Sequence, residues 1–281
     1  MNLKKFFYMG LVGCLLVGAC SKKKAEPQSG GAPLQDAQSG ELTIKPGVLT
    51  IGMEIGYPPM EYFDVDGKTP IGFDISMANA IAAKLGVKTD FVDTAWDGIF
   101  AGVDTGKYDC IISAVTVTPE RQAAYNFTKP YIGNAQALVV AKDTVVTAVK
   151  PEELGGLRVA YQAETTTDIY MTKLTANGIS FEPFEYDKVL NCFDDLRLGR
   201  VDAVVCDSLV AFDYIAPADS PFKLVWQGEA DEVFAICLKK SNNQLTAAID
   251  QALDALFADG TILAISKDIF KMDMVSSARK Q

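Results

Sequence analysis

Hydrophobic and polar positions between residues 49 and 113 follow the pattern of strands that alternate with helices. Three short apolar runs predict buried strands at 49–53, 89–92 and 109–113. A helical spacing of apolar residues predicts a helix that Asp74 caps and that runs to Leu85, before Gly86. A second helix is predicted to be capped by Asp97 and stopped by Gly106. The order βαβαβ predicts a parallel sheet covered by helices on both faces.

The same alternation returns in the second half of the chain. It predicts two strands and two helices, which are strands 157–161 and 201–206, a helix from about Asp168 and a helix over 187–198. Residues 106–112 and 199–205 also match: glycine, base, strand entry, aspartate, small residue and two β-branched residues. We therefore expect two similar lobes.

Two strand-like segments, 135–141 and 232–239, are predicted to cross between the lobes. Helical patterns at 244–257 and 262–270 then return to the first lobe. The prediction is an α/β chain with two mostly parallel sheets joined by a two-strand hinge around a cleft. Its lobes are predicted as 46–134 with 231–281, and 135–230.

The N-terminus has the pattern of a bacterial lipoprotein signal. Lysines precede an apolar run, Phe6–Val17, that is too short to span a bilayer, and small residues lead to Cys20. We expect a signal peptide at 1–19 and lipidation of Cys20, so that the protein is extracytoplasmic and anchored to a membrane. An ordinary secretory signal, or a coincidental cysteine, is the alternative. Residues 20–45 are predicted to form the lipid anchor and a disordered tether, because Ser, Gly, Pro and Gln dominate there.

Composition excludes several classes of function. The net charge of −10 argues against binding to nucleic acid. The chain has no histidine, which excludes histidine metal sites and histidine-dependent catalytic triads. No metal or cofactor is predicted, and a monomer is expected. Four cysteines lie in apolar patterns and are predicted as buried free thiols, with a 110–237 bridge as the exception to consider: Cys110, Cys192, Cys206 and Cys237.

Candidate chemistry lies where the predicted strands end, which is where ligands bind in open α/β sheets. Thr118 is a plausible N-cap with Pro119 at the first helical position, so Arg121 falls in the first helical turn. The helix dipole disfavours a cation there, which points to an external anion such as a carboxylate. The other strand ends supply two carboxylates, two aromatic side chains and several hydroxyl groups, an inventory that suits an α-amino acid.

The motifs also resemble a known family. The sequence is similar to the polar amino-acid family of ABC-transporter substrate-binding proteins over residues 48–270. The segments that carry the resemblance are YPPMEY (57–62), IGFDISMANAIAAKLG (71–86), WDGIFAGVDTGKYDCIISAVTVTPER (96–121), NFTKPY (126–131), LGRVDAVVCD (198–207) and DGTI (259–262). The resemblance implies the two-lobe periplasmic-binding-protein (Venus flytrap) fold, capture of an amino acid and delivery to a membrane permease.

The resemblance also implies a role for each candidate residue. Arg121 would bind the ligand α-carboxylate, Asp207 would pair with its ammonium group, and Glu54 would face its side chain. The remaining residues would surround the ligand: Thr116 and the Ala114 backbone by hydrogen bonds, Tyr57 and Trp96 as flanking rings, and Gln162, Thr165 and Thr166 from the second lobe. Each has a structural alternative, such as a surface cation, a core aromatic residue or a helix cap. Glu164 stands where the family often has glycine, so its side chain is expected to alter the loop or to reach the cleft.

Glu54 between two aromatic rings predicts a basic amino acid as ligand. Glutamine or another uncharged polar amino acid is the alternative, because a carboxylate also accepts amide hydrogen bonds. Binding without chemistry is expected. A clamshell enzyme such as a periplasmic aromatic-precursor dehydratase, a chemoreceptor sensor module and a lipid-anchored adhesin are the other classes to distinguish.

Overall fold

A computed structural model describes residues 42–276 and 278. The predicted signal peptide, the lipidation at Cys20 and most of the predicted tether lie outside the described residues. Within the described part of the chain, no helix is long and apolar enough to cross a membrane.

Fourteen strands are present in the described residues. They are β1 (Val48–Met53), β2 (Tyr62–Phe63), β3 (Pro70–Ile71), β4 (Lys88–Asp93), β5 (Cys110–Ile111), β6 (Tyr125–Phe127), β7 (Ile132–Asn134), β8 (Gln136–Ala141), β9 (Arg158–Gln162), β10 (Glu182–Tyr186), β11 (Ala203–Asp207), β12 (Phe222–Gln227), β13 (Glu232–Phe234) and β14 (Cys237–Lys239).

Eight α-helices accompany these strands over the same residues. They are α1 (Phe73–Leu85), α2 (Ile99–Thr105), α3 (Pro119–Ala124), α4 (Thr166–Ala176), α5 (Val189–Arg197), α6 (Ser208–Ile215), α7 (Asn243–Ala258) and α8 (Thr261–Ile269). Short 3₁₀ turns occupy Trp96–Gly98 and Pro151–Glu153.

The strands form two five-stranded sheets with the same plan. The first has the order β4-β1-β5-β14-β6 and the second has the order β10-β9-β11-β8-β12. In each sheet the first three strands are parallel and the fourth runs antiparallel to both of its neighbours. Four strands of each sheet therefore run in one direction, and the predicted two-lobe α/β fold with mostly parallel sheets is confirmed.

Two further strands form a separate two-stranded ribbon, and each of them leads directly into a strand of one of the two large sheets. Strand β7 pairs antiparallel with β13, with Asn134 opposite Glu232 and Ile132 opposite Phe234. β7 leads into β8 of the second sheet, and β13 leads into β14 of the first. The ribbon includes residues 232–234 of the predicted crossing segment 232–239. The other predicted crossing, 135–141, is misplaced, because it forms β8 of the second sheet and β7 just before it supplies the other ribbon strand. The exact lobe boundaries stay a prediction.

Two predicted helix caps are wrong. Helix α1 begins after Gly72, which has no side chain, and Asp74 lies inside the first turn. Asp97 lies inside a 3₁₀ turn, and α2 follows Gly98. Asp74 is fully buried and hydrogen-bonded to other elements, so its side chain is not available to cap its own helix.

Other local predictions are confirmed, except for the length of one strand. The Thr118 hydroxyl accepts a hydrogen bond from the backbone N–H of Arg121, with Pro119 in the first turn of α3. The strand predicted over 109–113 is shorter than expected, because the chain leaves the sheet after Ile111 and turns at Ala114, where φ is +47°. Cys110, Cys192, Cys206 and Cys237 are all buried free thiols. No bridge joins Cys110 to Cys237.

Candidate functional site

A cavity lies where strand ends of the two sheets face one another, with about 320 Å³ of empty space when its mouth, which is open to solvent, is included. The structure brings all ten predicted site residues to its wall: Glu54, Tyr57, Trp96, Ala114, Thr116, Arg121, Gln162, Thr165, Thr166 and Asp207. Glu61 and Ser113 line it as well, and neither was predicted. The structure places these residues on one cavity wall, and the ligand-binding role of each residue stays a prediction.

The parallel strands account for this convergence. Glu54 follows β1, Gln162 ends β9 and Asp207 ends β11. Since the carboxyl ends of parallel strands lie at one edge of a sheet, each sheet presents its polar residues at one edge. The two edges meet at the cavity.

Arg121 is a partly buried cation on the wall of the cavity. Its guanidinium group lies 5.3 Å from the ring of Trp96 and 5.1 Å from the ring of Phe100. Its Nη1 donates a hydrogen bond to the Thr116 carbonyl oxygen at 3.0 Å. Burial lowers the pKa of Arg121, and the negative charge of Asp207 opposes that shift. The stacking and the single backbone bond hold the planar group in place and leave further N–H donors for an anion.

Asp207 is buried at the end of β11 and receives two hydrogen bonds. Tyr57 donates its hydroxyl proton to Oδ2 at 2.6 Å, and Asn134 donates to Oδ1 at 2.7 Å. Burial and the negative charge of Glu232 raise the pKa of Asp207 to about 7, although the two hydrogen bonds and Arg121 act against the shift. A cation in the cavity would stabilise the ionised carboxylate.

Glu54 is the second buried acid on the wall, with 3% of its surface exposed. Its Oε2 accepts a hydrogen bond from Gln162 at 2.7 Å, while its buried Oε1 has no hydrogen-bond partner. Burial raises the pKa of Glu54 to about 7, and both the Gln162 bond and the charge of Lys188 act against this. The Gln162 carbonyl oxygen Oε1 is also buried without a partner. Unpaired buried oxygens of this kind mark a place for donors from a ligand.

The two predicted flanking aromatic residues also bond across the cleft. Tyr57 bonds to Asp207, and the indole Nε1 of Trp96 donates to the backbone carbonyl of Glu164 at 3.0 Å. The Arg121 guanidinium also lies over the ring of Trp96. Each ring therefore joins the first sheet's side of the cavity to the second's, a function that the pattern did not predict.

The threonines of the second lobe have mixed roles. Thr165 is the N-cap of α4, and its hydroxyl also donates to the Gln162 carbonyl at 2.8 Å, so the helix-cap alternative holds for its side chain. The Thr166 hydroxyl lies 3.4 Å from that of Thr116 across the cleft. Glu164 has φ of +60°, the left-handed region that favours glycine. The turn that contains Glu164 accommodates this conformation, and the Glu164 carbonyl oxygen accepts the hydrogen bond from Trp96.

Sequence reasoning missed three polar side chains at the back of the site. Ser113 accepts from the Glu54 backbone N–H at 3.0 Å and donates to Glu61 at 2.6 Å. Asp74 accepts from the Ala114 N–H at 2.8 Å, which leaves the carbonyl of Ala114, and not its N–H, for a ligand. Glu61 and Asp74 lie within the motifs that carry the family resemblance, but nothing in the pattern marked them as a pair.

Asn134 and Glu232 form a polar connection from the site to the β7–β13 ribbon. The Asn134 amide nitrogen donates to Asp207 and also to Glu232 at 2.8 Å. The other Glu232 oxygen accepts from Gln136 at 3.0 Å. Their register in the ribbon is a long-range property that a single strand pattern does not reveal.

Known proteins share this architecture and sequence. The model of the bacterial extracellular solute-binding proteins, family 3, matches residues 49–272. The L-cystine-binding protein TcyJ of Escherichia coli (strain K12) is 31% identical over 229 residues, which are 81% of this chain and 84% of that protein.

Solved structures of binding proteins are similar to this chain in fold and in sequence. An ancestral arginine-binding protein, solved bound to arginine, has a TM-score of 0.74 and 34% identity over 80% of this chain and 98% of its own. The ancestral amino acid-binding protein AncCDT-1, a precursor of cyclohexadienyl dehydratase, has a TM-score of 0.71 and 32% identity over 80% and 95% of the two chains. The family match covers most of the chain, and the cavity lies between the two lobes. This chain belongs to the bacterial extracellular solute-binding proteins of family 3.

Proposed function

We propose that this protein captures an L-amino acid with a basic side chain outside the cytoplasm and delivers it to an ABC importer. The family assignment supports an extracytoplasmic binding protein. Relatives bear the names of L-cystine-binding and arginine-binding proteins, and several are named as parts of ABC transporters. Anchoring through a lipid on Cys20 is part of the proposal and rests on the N-terminal sequence pattern alone.

The two ends of the ligand backbone have matching groups on the wall of the cavity. Arg121 would bind the α-carboxylate through a pair of charge-assisted hydrogen bonds. Asp207, which belongs to the opposite sheet, would pair with the α-ammonium group together with the Ala114 carbonyl. Because one ligand would contact both lobes, binding would stabilise the closed arrangement.

The observation that carries the preference for a basic side chain is the buried Glu54 carboxyl group. Its Oε1 has no donor, and its pKa is raised to about 7 by burial. A guanidinium or ammonium group would supply the missing donor and a compensating positive charge, which favours the ionised form of Glu54. The amide of Gln162 now occupies Oε2 and would turn aside or share that oxygen.

A thermal-shift screen of the full chain against the twenty L-amino acids and L-cystine tests the proposal. We expect L-arginine and L-lysine to raise the melting temperature most. The matched variant Glu54→Gln keeps the shape of the side chain and removes its charge, so it should lose this preference while retaining binding of uncharged amino acids. Stabilisation of the wild-type protein by L-glutamate alone would contradict the proposal.

Glutamine or another uncharged polar amino acid is a second candidate. The raised pKa of Glu54 means that the carboxyl group is partly protonated near pH 7 and does not require a cation. The ancestral arginine-binding protein was also solved bound to glutamine, with 34% identity to this chain. A larger shift with L-glutamine than with L-arginine would favour this candidate.

Binding without chemistry is proposed over catalysis. The relatives named above are binding proteins, although AncCDT-1 is named as a precursor of a dehydratase. A product assay with a cyclohexadienyl substrate separates the two, and any turnover that requires Glu54 or Asp207 would overturn the proposal.

A further inference from the structure

Two acidic side chains meet at the back of the cavity, away from bulk solvent. Glu61 directly precedes β2 and lies on the cavity wall, and Asp74 lies in the first turn of α1. Both residues are 0% exposed. No described lysine or arginine forms an ion pair with either acid. Two buried carboxylates without a cation are costly, so their protonation has to be accounted for.

One oxygen of each acid accepts hydrogen bonds from nearby donors. Glu61 Oε1 accepts from the Ser113 hydroxyl at 2.6 Å. Asp74 Oδ2 accepts from the Ala114 N–H at 2.8 Å and from the Tyr131 hydroxyl at 3.0 Å. The other oxygens, Glu61 Oε2 and Asp74 Oδ1, are buried and receive no hydrogen bond from a described group.

These two oxygens without a donor belong to the Glu61 and Asp74 carboxyl groups, which are hydrogen-bonding neighbours. Both are acceptors when ionised, so only a proton on one of them lets them bond. A single proton between them satisfies both oxygens and removes the repulsion of two like charges at one site.

We infer that Glu61 and Asp74 share one proton in the folded protein, and that this acid pair positions the strand ends that carry Glu54 and Ala114. Burial, and then the charge of Asp74, raise the pKa of Glu61 well above its usual range; burial also raises the pKa of Asp74. Three further titratable groups influence or face the pair, namely Glu54, Tyr57 and Tyr131. The charge of Glu54 raises the pKa of Glu61 further, which favours retention of the proton, and the pKa values of Tyr57 and Tyr131 are themselves raised, so neither phenol is ionised near neutral pH.

The pair connects two strand ends that are distant in sequence. Through Ser113, Glu61 is linked to the backbone N–H of Glu54, at the end of β1. Through its N–H, Ala114 is held by Asp74 in a left-handed conformation that a residue with a side chain rarely adopts. The consequence for binding, that the Ala114 carbonyl and Glu54 are held toward the ligand, rests on the proposed function; the shared proton does not.

Amide substitutions test the shared proton, because an amide mimics the protonated acid. In Glu61→Gln the amide donates to Asp74, and in Asp74→Asn it donates to Glu61, so each single variant should unfold within about tenfold of the wild-type equilibrium constant at pH 5.5. The double variant has no acceptor for the second amide, and turning over the new amide at position 61 would leave the Ser113 hydroxyl proton unpaired. We expect its folding constant to fall at least tenfold further than the two single effects combined.

The pH dependence of unfolding provides the second readout. The unfolded acids lose their protons above about pH 4.5, while the folded pair keeps one, so stability is present at low pH and decreases as pH rises. Between about pH 7.5 and 9, which lies above the raised pKa of Asp74 (about 7), the wild-type unfolding constant should rise about tenfold more per pH unit than that of Glu61→Gln. A difference equivalent to zero or two protons, or a double variant as stable as either single one, would overturn the inference.

A titration with L-arginine separates this inference from the proposed function. Both single amide variants should bind within about tenfold of wild type, whereas Asp74→Ala, which releases Ala114, should bind at least tenfold more weakly while Asp74→Asn does not. If the wild-type protein does not bind L-arginine, the ligand is wrong and the unfolding experiments still decide the shared proton. If Asp74→Ala binds as wild type does, the positioning role is wrong.

Discussion

Replacing Arg121 with alanine removes the group that we propose binds the ligand α-carboxylate. In the structure the guanidinium is stacked against Trp96 and Phe100, at 5.3 and 5.1 Å from their ring centres. It bonds to one backbone carbonyl, that of Thr116. A guanidinium has five N–H donors, so a carboxylate can be bound as a fork without breaking this support.

The loss can be estimated from the bonds removed. A hydrogen bond to a charged group contributes about 1.5–3 kcal/mol, so a fork of two contributes roughly 3–6 kcal/mol. With about 1.4 kcal/mol for each factor of ten, Arg121→Ala should weaken binding by roughly 10²- to 10⁴-fold. Folding should change little, because burial lowers the pKa of Arg121 and its charge is itself costly in that place.

Isothermal titration calorimetry with the best ligand of the amino-acid screen measures this change, and urea unfolding checks the fold. Arg197→Ala is the matched control, since Arg197 also lies over an aromatic ring, Phe222, at 5.4 Å, but is half exposed and pairs with Asp194 on the surface. Arg121→Lys keeps the charge without the fork and should bind with intermediate affinity. If Arg121→Ala binds within threefold of wild type, the carboxylate is bound elsewhere and the reasoning fails.

Three further outcomes are expected. Below pH 7, affinity for an α-ammonium ligand should increase by up to about tenfold for each unit that the pH rises, because the pKa of Asp207 is about 7 in the empty site and only its ionised form pairs with the cation; in Glu232→Gln the loss of the like charge should move this increase to lower pH, and identical calorimetric profiles would exclude the coupling. Glu164→Gly should raise the free energy of unfolding in urea by up to about 1 kcal/mol, because it relieves a left-handed conformation (φ +60°) and keeps the backbone carbonyl that Trp96 uses; a loss of stability would show that the glutamate side chain contributes. Gly102→Ala should lower the melting temperature and cost about 1–3 kcal/mol, since its Cβ would lie 2.1 Å from the Tyr108 hydroxyl oxygen; an unchanged melting temperature would mean that Tyr108 moves aside freely.

The pattern of apolar residues predicted the strand and helix order because that order is written locally. Each buried strand of a parallel sheet is a short apolar run, and each helix has one apolar face, as Met77, Ile81 and Leu85 show by their burial in α1. The rule that ligands bind at strand ends, together with the family resemblance, then selected ten residues that the structure places around one cavity.

Contacts between distant segments escaped this reasoning. Asp74 was predicted to cap its helix, because a lone aspartate before an apolar face usually does. In the structure its carboxylate instead accepts hydrogen bonds from the Ala114 N–H and the Tyr131 hydroxyl. The bonds of Tyr57 to Asp207 and of Glu54 to Gln162 join residues 150 and 108 positions apart. No local pattern encodes such pairs.

Sequence alone determined the alternation of strands and helices, the repeat of one α/β plan in two lobes and the strand ends that carry polar groups, because each depends on side chains a few positions apart. Tertiary structure alone decided which acids are buried together, which pKa values are raised and which hydrogen bonds cross the cleft. These properties depend on the distance between groups and on the exclusion of water, and folding sets both only when the two sheets come together.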